Sequence, residues 1–148
     1  MSAPKTKQQL VVPLALIVRG KRLLLTERLD PRPNYNKKWE FPGGEVEFGE
    51  TVEACLHREV REETGFRVKL VEQLPGIYTK QITENYGAYQ VFLINFICRI
   101  RSGTFTPLSK EVGAHRWCTH REALRLPLLP LNKKIITDHK TVLKKYID

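Results

Sequence analysis

Eight of the sixteen acidic residues fall between positions 40 and 63: Glu40, Glu45, Glu47, Glu50, Glu53, Glu59, Glu62 and Glu63. Only Arg58 and Arg61 oppose them there, so this window carries a net −6 in a chain of net +9, and the remainder carries +15. Carboxylates in such density do two kinds of chemistry. They bind hard cations through oxygen, and they move protons. A charge run is most often a solvated helix face, so the spacing has to decide. At about 100° per residue, a helix over 52–64 puts Cys55, Leu56 and Val60 on one apolar stripe. Glu59 and Glu63 fall in the middle of that stripe, Glu62 at its margin, while His57 and Arg61 point away. Carboxylates on an apolar face are costly, and they repel one another. Arg58 can satisfy one of them but not the cluster with Glu62 and Glu50; a divalent ion such as Mg²⁺ or Mn²⁺ can satisfy several. Gly43 and Gly44 just upstream permit a tight turn and a close ligand approach. Strand, Gly-Gly, acidic loop and helix together describe a pocket for a metal-bound phosphate ester.

The elements that must position these residues can be read from the chain. Thr51 is a helix N-cap with Glu50 and Glu53 near the positive end of the dipole, and Gly65 is the C′ residue. Ahead of the helix, Leu10 to Val18 and Arg22 to Arg28 form a hairpin about Arg19-Gly20-Lys21. Pro13 suggests an edge position or a bulge in the first strand. Asp30 to Lys38 is a loop and Trp39 to Phe41 a short apolar segment. Strands are predicted around Arg67 to Gln73, Gly76 to Gln81, Tyr89 to Ile100 and His115 to Cys118. A short helix over His120 to Leu124 follows, and Leu126 to Leu131 leads to a last helix with Ile136, Leu143 and Ile147 near one side. The mixed order of strands and helices predicts an α/β sandwich.

The 148 residues suit one domain, with a flexible N-terminus over 1–9 and the domain over 10–148. With 41% hydrophobic and 28% charged residues, a core forms without disulfides. Cys55, Cys98 and Cys118 are odd in number and show neither CxxC nor zinc spacing. A reducing compartment is expected. The opening MSAPKTKQQ has no apolar core of a secretory signal, and no run reaches the roughly 18 apolar residues of a membrane span. The expected location is cytoplasmic, with no membrane partner. The basic body favours anionic partners such as nucleotides.

From Gly44 to Phe66 the sequence reads GEVEFGETVEACLHREVREETGF. This resembles the Nudix box of the nucleoside diphosphate-X hydrolases. Gly44, Glu50, Arg58, Glu59, Val60, Glu62, Glu63, Gly65 and Phe66 fill every fixed position, and Glu40-Phe41-Pro42-Gly43 is similar to the usual lead-in. The resemblance implies an α/β/α sandwich around a mixed β-sheet and hydrolysis of a diphosphate linkage with Mg²⁺ or Mn²⁺. It implies Glu59, Glu62 and Glu63 as main metal ligands, Glu50 as a further ligand or a supporting group, and Arg58 as the residue that orients the carboxylates. The Gly43 carbonyl could also coordinate metal. Glu111, six residues before Trp117, matches a catalytic or metal-binding Glu of some relatives and is a candidate general base; Glu63 is its rival.

The box defines the chemistry and not the substrate. Arg28 ends the second strand where relatives place a phosphate-binding Arg, although a hairpin-end charge gives the same pattern. The spacing of Glu111, Trp117 and Asn132 is similar to that of the branch that destroys oxidised dGTP, where the matching Asn reads guanine. Asn132 could equally cap the last helix. Tyr78, Tyr86, Tyr89 and Phe92 could stack a base. The reading that results is a pyrophosphohydrolase of a (d)NTP or oxidised nucleotide, giving monophosphate and pyrophosphate. A nucleotide sugar, ADP-ribose, a dinucleotide or an RNA 5′ end are the alternative substrates, nucleic acid entering only in that role. A non-catalytic nucleotide sensor or nucleic-acid-binding module is the alternative of another class. Many relatives dimerise, so a homodimer is possible.

Overall fold

Alternating apolar residues build one mixed sheet with a core on each face. The computed structural model describes residues 6–84 and 87–148. Its strands are β1 (Thr6–Arg19), β2 (Arg22–Arg28), β3 (Trp39–Glu40), β4 (Arg67–Gln73), β5 (Tyr78–Glu84), β6 (Gly87–Ser102) and β7 (Val112–Cys118). Its helices are α1 (Val52–Thr64), α2 (His120–Leu124), α3 (Pro130–Asp138) and α4 (Lys140–Leu143). The sheet runs β3-β2-β1-β6-β4, with β5 also on β6 and β7 also on β2. β1 and β6 are parallel; the other pairs are antiparallel. Ala15, Ile17 and Leu24 face α1, packing on Leu56 and Val60. Leu16, Leu23 and Leu25 face the other way, onto Ile135, Ile136 and Leu143. This period of two, set between helices on both faces, is the α/β/α sandwich. Cys55, Cys98 and Cys118 are all buried and free. Among the described residues no helix is long and apolar enough to cross a membrane.

Helix α1 starts and stops where its sequence dictates. The Thr51 hydroxyl accepts from the Ala54 N–H at 3.0 Å. Gly65 sits at φ 80°, and its N–H closes on the Arg61 carbonyl. Thr51→Ala is expected to cost about 1 kcal/mol of stability, measured by chemical denaturation. An unchanged midpoint would mean that packing alone fixes the helix start.

Four local expectations are corrected. Residues 6–9 of the expected flexible tail lie in β1, where Thr6 to Gln9 pair with Gly87 to Gln90 of β6. Their polar character does not prevent pairing, because ladder bonds come from the backbone. β1 is interior to the sheet, so Pro13 does not lie on an edge strand. It is tolerated because β2 is registered with β1 only at Val18 and Arg19. Beside Pro13 runs the 42–46 segment, which bonds β1 through Ala15 N to Pro42 O and Val46 N to Val11 O. The last helix is two, broken at His139, whose buried ring meets the Tyr78 hydroxyl at 3.2 Å. Asn132 does not cap it. The N-cap position is Leu129 without a side-chain bond, Pro130 opens the helix, and Asn132 lies inside it.

Candidate active site

The site forms where the 42–46 segment crosses β1 and meets α1. Gly43 lies so close to β1 that a Cβ there would stand 2.2 Å from the Pro13 carbonyl oxygen. A Cβ on Gly44 would stand 2.3 Å from the Glu59 carboxyl carbon. Two bare backbone positions thus let the chain pass between β1 and the carboxylates of α1. The Gly43 N–H donates to Glu63 Oε2 at 3.0 Å. Burial pushes the Glu63 carboxyl well above the ordinary carboxylate range, with Glu40 and Glu59 adding repulsion; the Gly43 N–H offsets this only in part. Burial also raises Glu59, against the pull of Arg58.

Arg58 is the hub of the outer carboxylates. Its guanidinium donates to Glu50 at 2.7 and 3.0 Å, to Glu59 at 2.9 Å and to Glu62 at 3.4 Å. Its bonds to Glu50 hold that carboxyl down at about 2. Glu50 and Glu62 therefore stand beside Arg58 and not along the cleft, which Glu59 and Glu63 line.

That cleft has a volume of about 780 Å³, within the range that takes a nucleotide. It brings Glu59, Glu63, Gly43, Arg28, Glu111 and Asn132 together. Arg28 bonds Asp30 at 2.8 Å and Glu40 at 3.3 Å. Burial works against the Arg28 charge, but these two carboxylates outweigh it and hold the guanidinium protonated. Glu111 is exposed just before β7, and its charge adds to the repulsion felt by half-buried Glu40. Asn132 is reached through β3: Trp39 bonds Pro127 and Leu129, the turn that opens α3. The Phe41 N–H then donates to Asn132 Oδ1 at 2.9 Å. This leaves the side-chain NH₂ as the group Asn132 can offer a ligand. Of the aromatics, Tyr89 lines the cleft, and the Tyr78 hydroxyl donates to Asp138. Phe92 is not among the lining residues, and Tyr86 lies outside the described residues.

Sequence reasoning passed over Glu40, Asp30 and Arg32 as site residues. The Asp30 carboxylate accepts three bonds from Arg32 and one from Arg28, and the Arg32 side-chain bonds above all hold it far below the usual range. Arg32 stacks over Tyr35 at 4.1 Å. The alternation of charges in the loop after β2 was the available signal.

Residues 7–139 match the NUDIX domain family. The chain belongs to the Nudix hydrolase family. Nudix hydrolases are pyrophosphohydrolases of nucleoside diphosphate-X compounds, and this chain is an enzyme of that kind acting on a nucleotide-type small molecule. A MutT-like protein of Streptomyces ambofaciens is 41% identical over 101 residues, covering 68% of this chain and 57% of that protein. This chain thus spans little more than half of that relative. Nucleoside triphosphatase NudI of Escherichia coli is 27% identical, over 87% of this chain and 95% of its own. A Nudix hydrolase structure from Nitrosomonas europaea superposes with a TM-score of 0.71 at 27% identity, covering 93% and 91% of the two chains.

Nudix enzymes generally use divalent metal ions. Among the described residues, no three His, Cys, Asp or Glu side chains are gathered closely enough to hold one as they stand. Arg58 instead bonds Glu50, Glu59 and Glu62. The donor chemistry still fits a hard cation. Glu59 and Glu63 supply carboxylate oxygens beside the Gly43-Gly44 turn, and among the described residues no ion pair balances the half-buried Glu63.

Proposed function

We propose that this cleft hydrolyses a nucleoside triphosphate, ordinary or oxidised, to monophosphate and pyrophosphate, with Mg²⁺ or Mn²⁺ as cofactor. The observation that carries the reading is the half-buried Glu63 carboxylate. It is fixed by the Gly43 N–H and faced by two like charges, an arrangement that stores a strong cation-binding potential. Glu59 and Glu63 would hold the metal, with the Gly43 carbonyl beside them; Glu62 and Glu50 join only if Arg58 releases them. The ion, when bound, neutralises phosphate charge and makes water a better nucleophile.

The other residues have separate tasks. Arg58 fixes the carboxylates from outside and touches no substrate. Arg28, at the end of β2, binds a phosphate oxygen of the substrate. Glu111 accepts the proton of the attacking water, since it faces the cleft and is exposed enough to pass the proton on. Asn132 donates its NH₂ to a base acceptor. The full-length likeness to a nucleoside triphosphatase supports the triphosphate.

Glu111→Gln is expected to lower kcat about 10²-fold with KM little changed. An unaltered kcat would return the proton transfer to Glu63. The reading as a whole is tested by incubating the protein with Mg²⁺ and dNTPs, oxidised dGTP, ADP-ribose, dinucleoside polyphosphates and nucleotide sugars, and resolving the products. Monophosphate plus pyrophosphate is the expected result. Cleavage of ADP-ribose or a sugar nucleotide instead would keep the metal site and discard the triphosphate.

A further inference from the structure

The cleft has an apolar floor laid by two parallel strands. Leu10, Val12 and Leu14 of β1 and Tyr89, Val91 and Leu93 of β6 line it. In register, Leu10 stands beside Val91, Val12 beside Leu93 and Leu14 beside Asn95. Alternation puts Asn95 on the same face as Leu93, one step further in. Asn95 is 0% exposed. Neither its side-chain oxygen nor its nitrogen has a partner among the described residues.

That is exceptional among the described residues. The other buried polar side chains are bonded: Thr26 to Glu40, Thr64 to Val60, Asn132 to Phe41, His139 to Tyr78. The core around Asn95, with Leu14, Leu74, Leu93 and Ile97, is apolar. A dry amide unpaired at both ends destabilises the fold, and leucine would fill the place without that cost. The ordinary reasons for such a group are a ligand or a buried water.

We infer that Asn95 is the polar end of the base subsite. The nucleobase lies on the β1–β6 floor, and Leu14 and Leu93, each 7% exposed, part to let its edge reach the amide. The amide carries one donor face and one acceptor face, so it pairs with a base edge that presents a donor beside an acceptor. This rests on the proposed nucleotide reading only in requiring a substrate with a base. The group beyond the diphosphate plays no part in it.

The test holds the phosphate moiety constant and varies the base edge. Wild type is compared on a nucleotide it cleaves and on the matching analogue whose purine lacks exocyclic groups. Wild type is expected to prefer the intact base about 10²-fold in kcat/KM, and Asn95→Leu to lose about 10-fold of that preference, the remainder lying with Asn132. Without ligand, Asn95→Leu is expected to melt about 4 °C higher. A raised Tm with the preference intact would assign Asn95 to a buried water and overturn the inference. If the variant does not fold, wild type alone decides: no preference between base and analogue overturns it. The side-chain ¹⁵NH₂ resonance of Asn95 adds a reading without turnover. It should shift with the intact nucleotide and stay in place with the analogue. Failure of the triphosphate reading looks different, as cleavage of another diphosphate compound, and the same base comparison is then run on that compound.

Discussion

Glu63→Gln is expected to cut turnover about 10³-fold and to leave the fold intact. The two effects separate because the amide oxygen of glutamine can still accept from the Gly43 N–H, which now bonds Glu63 Oε2. The local frame is kept and the charge is lost. In metal-free protein the variant should also be the more stable one at neutral pH. The sign follows from the raised Glu63 carboxyl. A group whose folded pKa lies above its unfolded value favours folding when protonated, and that contribution is lost as pH rises from the ordinary 4.5 through the folded value. Glutamine never ionises, so it escapes the loss. Denaturation in EDTA at pH 4 and pH 7 reads this: near-equal stabilities at the lower pH, and the variant ahead at the higher. Near-normal turnover by Glu63→Gln would remove Glu63 from the chemistry.

The two adjacent glycines should fail in different ways when changed to alanine. At Gly43 the new Cβ meets backbone, the Pro13 carbonyl oxygen at 2.2 Å and Leu14 Cα at 3.0 Å. Neither can swing aside, because β1 is held by β6 along this stretch. Gly43→Ala should therefore destabilise the protein by roughly 3 kcal/mol and lose activity with the fold. At Gly44 the new Cβ meets the far end of Glu59, which can rotate. Gly44→Ala should keep its stability within about 0.5 kcal/mol and lose about 10²-fold in kcat, because one carboxylate is displaced by about 1 Å. Equal losses of stability in both variants would mean that the turn, not Glu59, takes up the strain.

What the sequence disclosed was what short range controls. Thr51 and Gly65 bracket α1 because cap chemistry acts within four residues. The carboxylate stripe was visible because a helix has a fixed period. The hairpin about Gly20 and the strand at Arg67 to Gln73 were equally local. The features missed depend on partners far along the chain. Thr6 to Gln9 are polar and show no strand pattern, and only β6 makes them one. Asn132 has the look of a helix cap, and its bond to Phe41 spans 91 positions. Glu40 was read as lead-in to the motif, since nothing near it in sequence predicts that Arg28 and Glu63 will close over it. The carboxylates of the box were legible, and the resemblance named Arg58 as the residue that orients them, but Arg58 was expected to satisfy only one and holds three, because a wheel gives direction and not rotamer.

The parallel pairing of β1 with β6 has a consequence in time. Every registered pair, from Thr6 with Gly87 to Val18 with Arg99, joins residues 81 apart. Closing that loop comes before the contacts that reward it, which marks this as a slow step in acquiring the fold. The Gly43-Gly44 turn leans on Pro13 and Leu14, the part of β1 that β6 supports. Helix α1 and its caps can form early, but the cleft cannot. On a ribosome, a chain that has not yet released residue 99 cannot complete the β1–β6 ladder behind the Gly43-Gly44 turn, so an unfinished copy lacks the frame of its catalytic centre.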